Sequence, residues 1–135
     1  MSSDGFQGRI TTLLEANNAS GPYHLSLVCT AQGLVVASAG DSIAEEDVAA
    51  FTSLFDDILK RAVRDLGFLR VDEVTLLDPG RGRTIIRPLV IGNHVPFFLV
   101  VRAEPRVSWR RNTSRLAMEL QEHLTPFAQH EEGAA

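Results

Sequence analysis

Apolar residues recur at two spacings in the first third of this chain, and they predict a helix followed by a β-hairpin. The helix is predicted over residues 3–17, where four apolar side chains share one face. They are Phe6, Ile10, Leu13 and Leu14. The hairpin is predicted from strands over residues 23–30 and 34–38, with Gly33 in the turn between them.

A second helix is predicted over residues 43–66, with distinct start and stop signals. Ser42 and Glu45 match a capping box, in which a hydroxyl and a carboxylate satisfy the first free N–H groups of a helix. Acidic residues crowd the first turn and basic residues lie near the other end, as the helix dipole favours. Gly67 is a suitable residue to end the helix.

The apolar residues of this second helix cover a wide arc. At 100° per residue they span roughly 180°, whereas a helix that faces a single core needs only about 100°. They are Val48, Phe51, Leu54, Phe55, Ile58, Leu59, Ala62, Val63 and Leu66. Two interpretations are open: the helix is sunk deep in its own domain, or it packs on its sheet and also on a second chain.

Three further strands are predicted as a meander over residues 71–77, 83–91 and 95–103. The last strand contains the run 97–101, which is apolar on both faces and therefore indicates a central strand covered on both sides. Pro88 lies inside the middle strand, where a residue without an N–H interrupts a ladder. We expect a bulge there, or a shorter strand.

A third helix is predicted over residues 107–124, ended by Pro126 and followed by a disordered tail at 130–135. The order helix-β-β-helix-β-β-β-helix predicts an α/β fold of the α+β kind. Residues 1–129 are expected to form one three-layer α/β/α domain with a five-stranded antiparallel sheet.

Length and composition fit one ordinary globular domain. The chain has 135 residues, of which 44% are hydrophobic and 22% charged. No apolar run approaches the roughly 20 residues that cross a bilayer, and no secretory signal is visible, so no membrane insertion is expected. The lone cysteine, Cys29, lies in an apolar strand, which suggests a buried thiol and a reducing compartment, the cytoplasm.

Charge is unevenly distributed, although the net charge is only −4. Residues 81–115 contain eight arginines and one acidic residue, Glu104, so the rest of the chain is strongly acidic. Such a basic segment indicates a surface for an acidic partner, or a solvated rim. Nucleic acid is disfavoured as a partner, because the isoelectric point is about 5.5 and no recognised reader motif is present.

No combination of residues points to catalysis, so we predict a protein that is not an enzyme and that holds no metal. The four histidines never pair with Cys, Asp or Glu at ligand spacing on one element. The glycines of segment 78–84 lack the Gly-Lys-Ser/Thr ending of a phosphate loop. The adjacent carboxylates at 56–57 and 72–73 point in different directions.

The order of elements, together with Thr30-Ala-Gln-Gly-Leu-Val-Val-Ala-Ser38 before the capped helix, resembles the roadblock/dynein-light-chain family. The resemblance is strongest to the bacterial Mgl-type roadblock proteins of gliding motility, and it spans about residues 4–125. This chain has Gln32 before the turn glycine, where many members carry an acidic residue or Asn.

The resemblance implies a homodimer in which the long second helices pack side by side and the third strands pair into one sheet. The wide apolar arc and a third strand at the edge of the sheet agree with it. The dimer contacts it implies are Phe51, Phe55, Ile58, Leu59, Ala62, Val74 and Leu76.

The resemblance also implies a platform, without a cofactor, for a small Ras-like GTPase or a second roadblock protein. The partner contacts it implies, on the polar edge of the second helix, are Asp57, Lys60, Arg61 and Arg64. The alternative for this edge is a solvated face with the ion pairs Asp57–Arg61 and Asp56–Lys60. Activator and adaptor roles both stay open, as do homodimer and heterodimer.

A different class of function is kept beside this one, a small-molecule or signal-sensing domain of similar three-layer architecture. A sensor needs a pocket of about 300 Å³ or more. A scaffold instead packs solid and exposes an apolar patch, so the cavities of the structure discriminate between the two.

Overall fold

The computed structural model describes residues 2–21, 23–40 and 45–134, and within them the chain forms three helices and five strands. The elements are α1 (Ser2–Ala19), β1 (Tyr23–Thr30), β2 (Val35–Gly40), α2 (Glu45–Leu66), β3 (Val74–Asp78), β4 (Gly82–Ile91), β5 (His94–Ala103) and α3 (Arg110–Ala134). The predicted order of helices and strands is therefore confirmed. The proposed helix cap at Ser42 lies outside the described residues.

The five strands form one antiparallel sheet in the order β2-β1-β5-β4-β3. β5 lies at the centre, as its doubly apolar run predicts. Phe98 and Val100 pack in the core on the α2 side of the sheet. Phe97, Leu99 and Val101 pack on the other side, in the core that α1 and α3 cover. A strand with two apolar faces is stable where helices cover both of them.

Helices cover both faces of the sheet, which confirms the predicted three layers. α1 and α3 share one face and bury Ile10, Leu14 and Leu120 against it. α2 lies on the other face and packs mainly on β1, β2 and β5. Among the described residues, the part of that face formed by β3 and β4 is left largely uncovered by α2.

The two edges of the sheet differ in how well they are covered. The β2 edge lies against α1, and Nε2 of Gln7 donates a hydrogen bond to the Val36 carbonyl over 3.2 Å. The opposite edge is β3, which pairs with β4 on one side only within the described chain. The N–H and C=O groups along its other side are therefore available to a further strand.

Pro88 lies in β4 opposite Phe98, and the ladder continues past it. The register is irregular between Leu89 and Ile91, so the predicted bulge lies just after the proline and the strand is not shortened. β3 pairs with β4 only as far as Ile86, so within the described residues no strand pairs with this edge of β4 at Pro88. A residue without an N–H is tolerated at such an edge.

The predicted end of the third helix is wrong. α3 continues through Pro126 and includes residues 130–134 of the predicted tail. The ring of Phe127, directly after the proline, stacks on Phe6 with 5.2 Å between centroids and lies 6.2 Å from Phe97. We attribute the continuation to these aromatic contacts, which offset the backbone hydrogen bond that Pro126 cannot donate.

Cys29 has no exposed surface, which confirms the predicted buried thiol. Burial raises the pKa of this thiol to about 12, from an ordinary value of 9.0. The unfolded chain therefore loses the proton at lower pH than the folded chain does. The protonated thiol of Cys29 therefore stabilises the folded state fully below about pH 9, and this stabilisation is lost as the pH rises towards 12.

Raising the pH from about 8 to about 10 should lower the free energy of unfolding by about 1.4 kcal/mol through this thiol. Cys29→Ala removes the titrating group and should remove that part of the pH dependence. Burial also raises the pKa of Tyr23, and that contribution remains in both proteins. Urea unfolding at the two pH values measures the difference, and equal pH dependence in both proteins would exclude the thiol as its source.

Candidate protein-interaction surface

α2 carries much more apolar surface than its own sheet covers. Within Glu45–Leu66 only Ala49 and Thr52 are buried. Five large apolar side chains of the helix are exposed instead: Phe51, Leu54, Ile58, Val63 and Leu66. The interpretation of a helix sunk deep in its own domain is therefore wrong.

The residues of α2 divide into three arcs around the helix axis. At 100° per residue, Thr52 marks the arc that faces the sheet, and Ile58 marks the exposed apolar arc beside it. Lys60 and Arg64 lie on the remaining, polar arc. A second helix can therefore pack on the apolar arc while α2 stays on its sheet and the polar arc stays in solvent.

The structure places the predicted dimer contacts in two groups. Phe51, Ile58 and Leu76 are exposed, and Ile58 keeps 50% of its surface. The other four are half-buried, three of them against the core of their own chain: Phe55, Leu59, Ala62 and Val74. Phe55 makes an edge-to-face contact with Phe51 at 5.5 Å between centroids, so the two groups are continuous.

Further exposed apolar residues lie outside the predicted contacts, among them Leu54, Leu66, Phe68 and Leu69. α2 ends at Leu66, before Gly67, and Leu69 just beyond this glycine keeps 93% of its surface. The sequence carries a signal for Phe68 and Leu69, the two residues in the loop after α2. Large apolar side chains directly after a helix-ending glycine usually pack on something, and here the chain itself does not cover them.

β3 exposes further apolar side chains on the sheet. Val74 pairs with Ile86 in the core on the α2 side, so Leu76, two residues on, lies on that side as well. Leu77 is exposed on the opposite face. We call the free edge of β3, together with Phe51, Leu54, Ile58, Leu66 and Leu76, the α2–β3 surface.

The polar arc of α2 contains the four predicted partner contacts. Both predicted ion pairs are present: Arg61 Nε lies 2.8 Å from Asp57 Oδ2, and Lys60 Nζ lies 3.1 Å from Asp56 Oδ2. Arg64 is exposed on the same arc. Exposed pairs at this spacing contribute only about 0.2–0.5 kcal/mol each, so a partner can compete for these side chains at little cost.

The features of the α2–β3 surface favour association with another protein. Among the described residues, no group of three or more His, Cys, Asp or Glu side chains could hold a metal ion. No helix in the same residues is long and apolar enough to cross a membrane. The α2–β3 surface offers an apolar stripe, a strand edge and a charged border, a combination that suits contact with other proteins.

Solved structures show which fold this is. An MglB with a tetrameric arrangement aligns at a TM-score of 0.71 and 17% identity, over 87% of this chain and 89% of that one. A roadblock/LC7 domain from Streptomyces avermitilis aligns at 0.67 and 16%, over 88% and 97%. The gliding protein MglB from Thermus thermophilus aligns at 0.69 and 16%, over 93% and 92%.

The chain therefore has the roadblock fold. No protein-family model and no curated protein sequence matches it. Identities of 16–17% show the fold alone, but the alignments span most of each chain. At the level of the fold, the resemblance to roadblock proteins and to their Mgl-type members is confirmed.

Proposed function

We propose that this protein is a non-enzymatic homodimeric regulator in the cytoplasm that binds a small Ras-like GTPase or another roadblock protein. The α2–β3 surface carries the proposal, because an apolar helix stripe beside a free strand edge forms one half of an interface. The roadblock fold and the resemblance to Mgl-type proteins support it. The proposed activity needs no cofactor.

In the proposed dimer, each α2 packs its apolar arc on the α2 of the partner copy, and the two β3 edges pair into one continuous sheet. Such a two-fold interface uses the same patch on both copies. The pairing satisfies the free N–H and C=O groups of β3. Phe68 and Leu69, just after α2, extend the apolar contact.

The polar arc of α2 lies outside this dimer contact and is the proposed partner site. Asp57, Lys60, Arg61 and Arg64 of both copies would form a platform of mixed charge on the outer side of the paired helices. Complementary charges on a partner steer its approach and fix its orientation more than they add affinity.

Lys60→Glu combined with Arg64→Glu should weaken GTPase binding about tenfold or more, mostly through slower association and with strong salt dependence. The probe is a candidate Ras-like GTPase from the same genome, loaded with a non-hydrolysable GTP analogue and measured by surface plasmon resonance. Exposed charges contribute little to stability, so the variant should keep the melting temperature and the dimer mass of the wild type.

Arg9→Glu combined with Arg81→Glu is the matched control. It makes the same change of charge at exposed positions outside α2, so GTPase binding should be nearly unchanged. If the Lys60/Arg64 variant binds as tightly as the wild type at every salt concentration, the polar arc is not the site.

A sensing domain is the second candidate, and one groove favours it. The groove has a volume of about 430 Å³ and lies between α2 and the sheet, with Leu59, Val63, Val90 and Val95 among its lining residues. This volume suffices for a small ligand. Native mass spectrometry of the purified protein separates the candidates, because a sensor retains a bound small molecule and a scaffold shows the mass of its chains alone.

A further inference from the structure

The side of the sheet that carries α1 and α3 contains a pocket lined by several arginines of the basic segment. It has a volume of about 1060 Å³ and lies beside the end of α1, the start of β1 and the N-terminus of α3. We call it the arginine pocket. Its charged and aromatic lining residues are Arg106, Arg110, Arg111, Arg115, Tyr23 and Trp109.

The structure divides the arginines of the basic segment by what they contact. The guanidinium of Arg83 stacks over the Trp109 ring at 4.2 Å, and Arg87 donates a hydrogen bond to α3 over 2.9 Å. These two arginines are therefore engaged within the domain. Arg106 and Arg111 are exposed, and no hydrogen bond or ion pair engages them within the described residues.

Most of the positive charge of the arginine pocket is not neutralised by nearby carboxylates in the described residues. None is among the described residues that line it. Glu73 accepts a hydrogen bond from the Trp109 indole at 3.2 Å, and Glu104 pairs with an exposed histidine at 3.1 Å. Glu119 lies 3.9 Å from Arg115, which is a weak contact between exposed groups.

The start of α3 also favours an acidic ligand in this pocket. Arg110 and Arg111 begin α3, whose first turn has no acidic residue, and negative charge is favourable at that end of a helix. A ligand that carries carboxylates therefore suits both the arginines and the helix N-terminus.

We propose that the arginine pocket binds an acidic peptide segment of a partner protein. Alternate side chains of an extended peptide are about 6.6 Å apart, close to the roughly 6 Å between Arg111 and Arg115 one turn apart on α3. Guanidinium groups bind carboxylates through paired N–H donors.

This site goes beyond the proposed function. It lies on the opposite side of the sheet from α2, and it needs neither the dimer nor the GTPase. Its failure in an experiment would therefore leave the proposed function untouched, and the reverse also holds.

Trp109 is the single tryptophan of the chain and lines the pocket, so its fluorescence reports on this site. Titration of the wild-type protein with a hexaglutamate peptide at low salt should change its emission in a saturable way, whereas hexaglutamine should not. The protein has a net charge of −4, so overall attraction does not explain binding of a polyanion.

Arg106→Glu combined with Arg111→Glu should weaken hexaglutamate binding at least about tenfold, because charge complementarity is reversed within the pocket. The Arg9/Arg81 variant makes the same change of charge at exposed positions that do not line the pocket, and it should bind nearly as the wild type does. If the Arg106/Arg111 reversal lowers the melting temperature, Arg106→Gln with Arg111→Gln replaces it.

The proposal is overturned if hexaglutamate leaves Trp109 emission unchanged, or if the two double variants weaken binding equally. Inorganic phosphate and vesicles with anionic phospholipid are titrated in parallel. Tighter binding of either one, lost in the Arg106/Arg111 variant, would assign the pocket to that ligand and would also overturn the proposal.

Discussion

Ile58→Asp should convert the proposed dimer into folded monomers and raise its dissociation constant at least about 100-fold. Ile58 is half-exposed in the protomer, so an aspartate there stays solvated in the monomer and leaves the fold intact. The change occurs twice in a two-fold dimer. Because Ile58 is already half-buried in the protomer, each lost burial costs about 0.8–1.5 kcal/mol, and each buried carboxylate adds a cost of desolvation.

Substitutions at the next two residues, Leu59 and Lys60, are the controls for Ile58→Asp. Leu59 packs against the core on the α2 side, so Leu59→Asp should unfold the protomer instead of separating two folded ones. Lys60→Asp places the same side chain on the polar arc and should leave the dimer mass unchanged. Sedimentation equilibrium together with thermal unfolding distinguishes these results. A monomeric wild type at tens of micromolar would exclude the dimer, and a dimeric Ile58→Asp protein would place the interface elsewhere.

Gly82→Ala should lower the free energy of unfolding by about 3–4 kcal/mol. Gly82 begins β4 with φ at +89°, and a Cβ there would lie 2.5 Å from the carbonyl oxygen of Ala103 on the next strand. Because that oxygen belongs to the backbone, no side-chain rotation relieves the clash. The strain falls on the turn between β3 and β4, so the variant should weaken the dimer as well.

Gly67→Ala is the control for this clash. Gly67 also has a positive φ, +74°, but a Cβ there would meet no atom within 4 Å. Its cost should be about 1 kcal/mol, which is the cost of the backbone conformation alone. Urea unfolding of both variants measures the difference. Equal losses in the free energy of unfolding would show that the close contact between a Cβ at position 82 and the Ala103 carbonyl oxygen costs nothing.

The core of this fold follows from local patterns in the sequence. The run 97–101 is apolar at every position, and only the centre of a sheet with helices on both faces covers such a strand. The turn at Gly33 separates two short apolar strands, which end up paired. Such patterns depend only on residues that are close in the sequence, so they can be recognised without knowledge of the tertiary structure.

The helix end at Pro126 shows where local patterns fail. A proline inside a helix normally ends it, because one hydrogen bond is lost and the ring crowds the preceding turn. In this chain the next residue, Phe127, stacks on Phe6 at the other end of the sequence. The energy of that contact depends on how α1 and α3 lie side by side, which no local pattern reports.

The interaction surface is predictable only in part for the same reason. Helical spacing separates the apolar and polar positions of α2, but it does not tell which apolar positions the sheet covers. Leu54 is exposed and Leu59 is half-buried because α2 packs mainly on β1, β2 and β5. Arg83 and Arg106 look equivalent in the sequence, but in the structure Arg83 stacks on Trp109 and donates to the Pro105 carbonyl, whereas Arg106 is exposed.

The unequal edges of the sheet set how far strand pairing can extend. α1 and the Gln7 amide occupy the β2 edge, so β3 is the edge that can recruit a strand in the described chain. In the proposed dimer, pairing of the two β3 edges leaves neither protomer with a second edge of this kind, so growth would stop at two protomers instead of continuing into a fibre. Freeing β2 from α1 would give each protomer two edges that can pair and would allow end-to-end polymers.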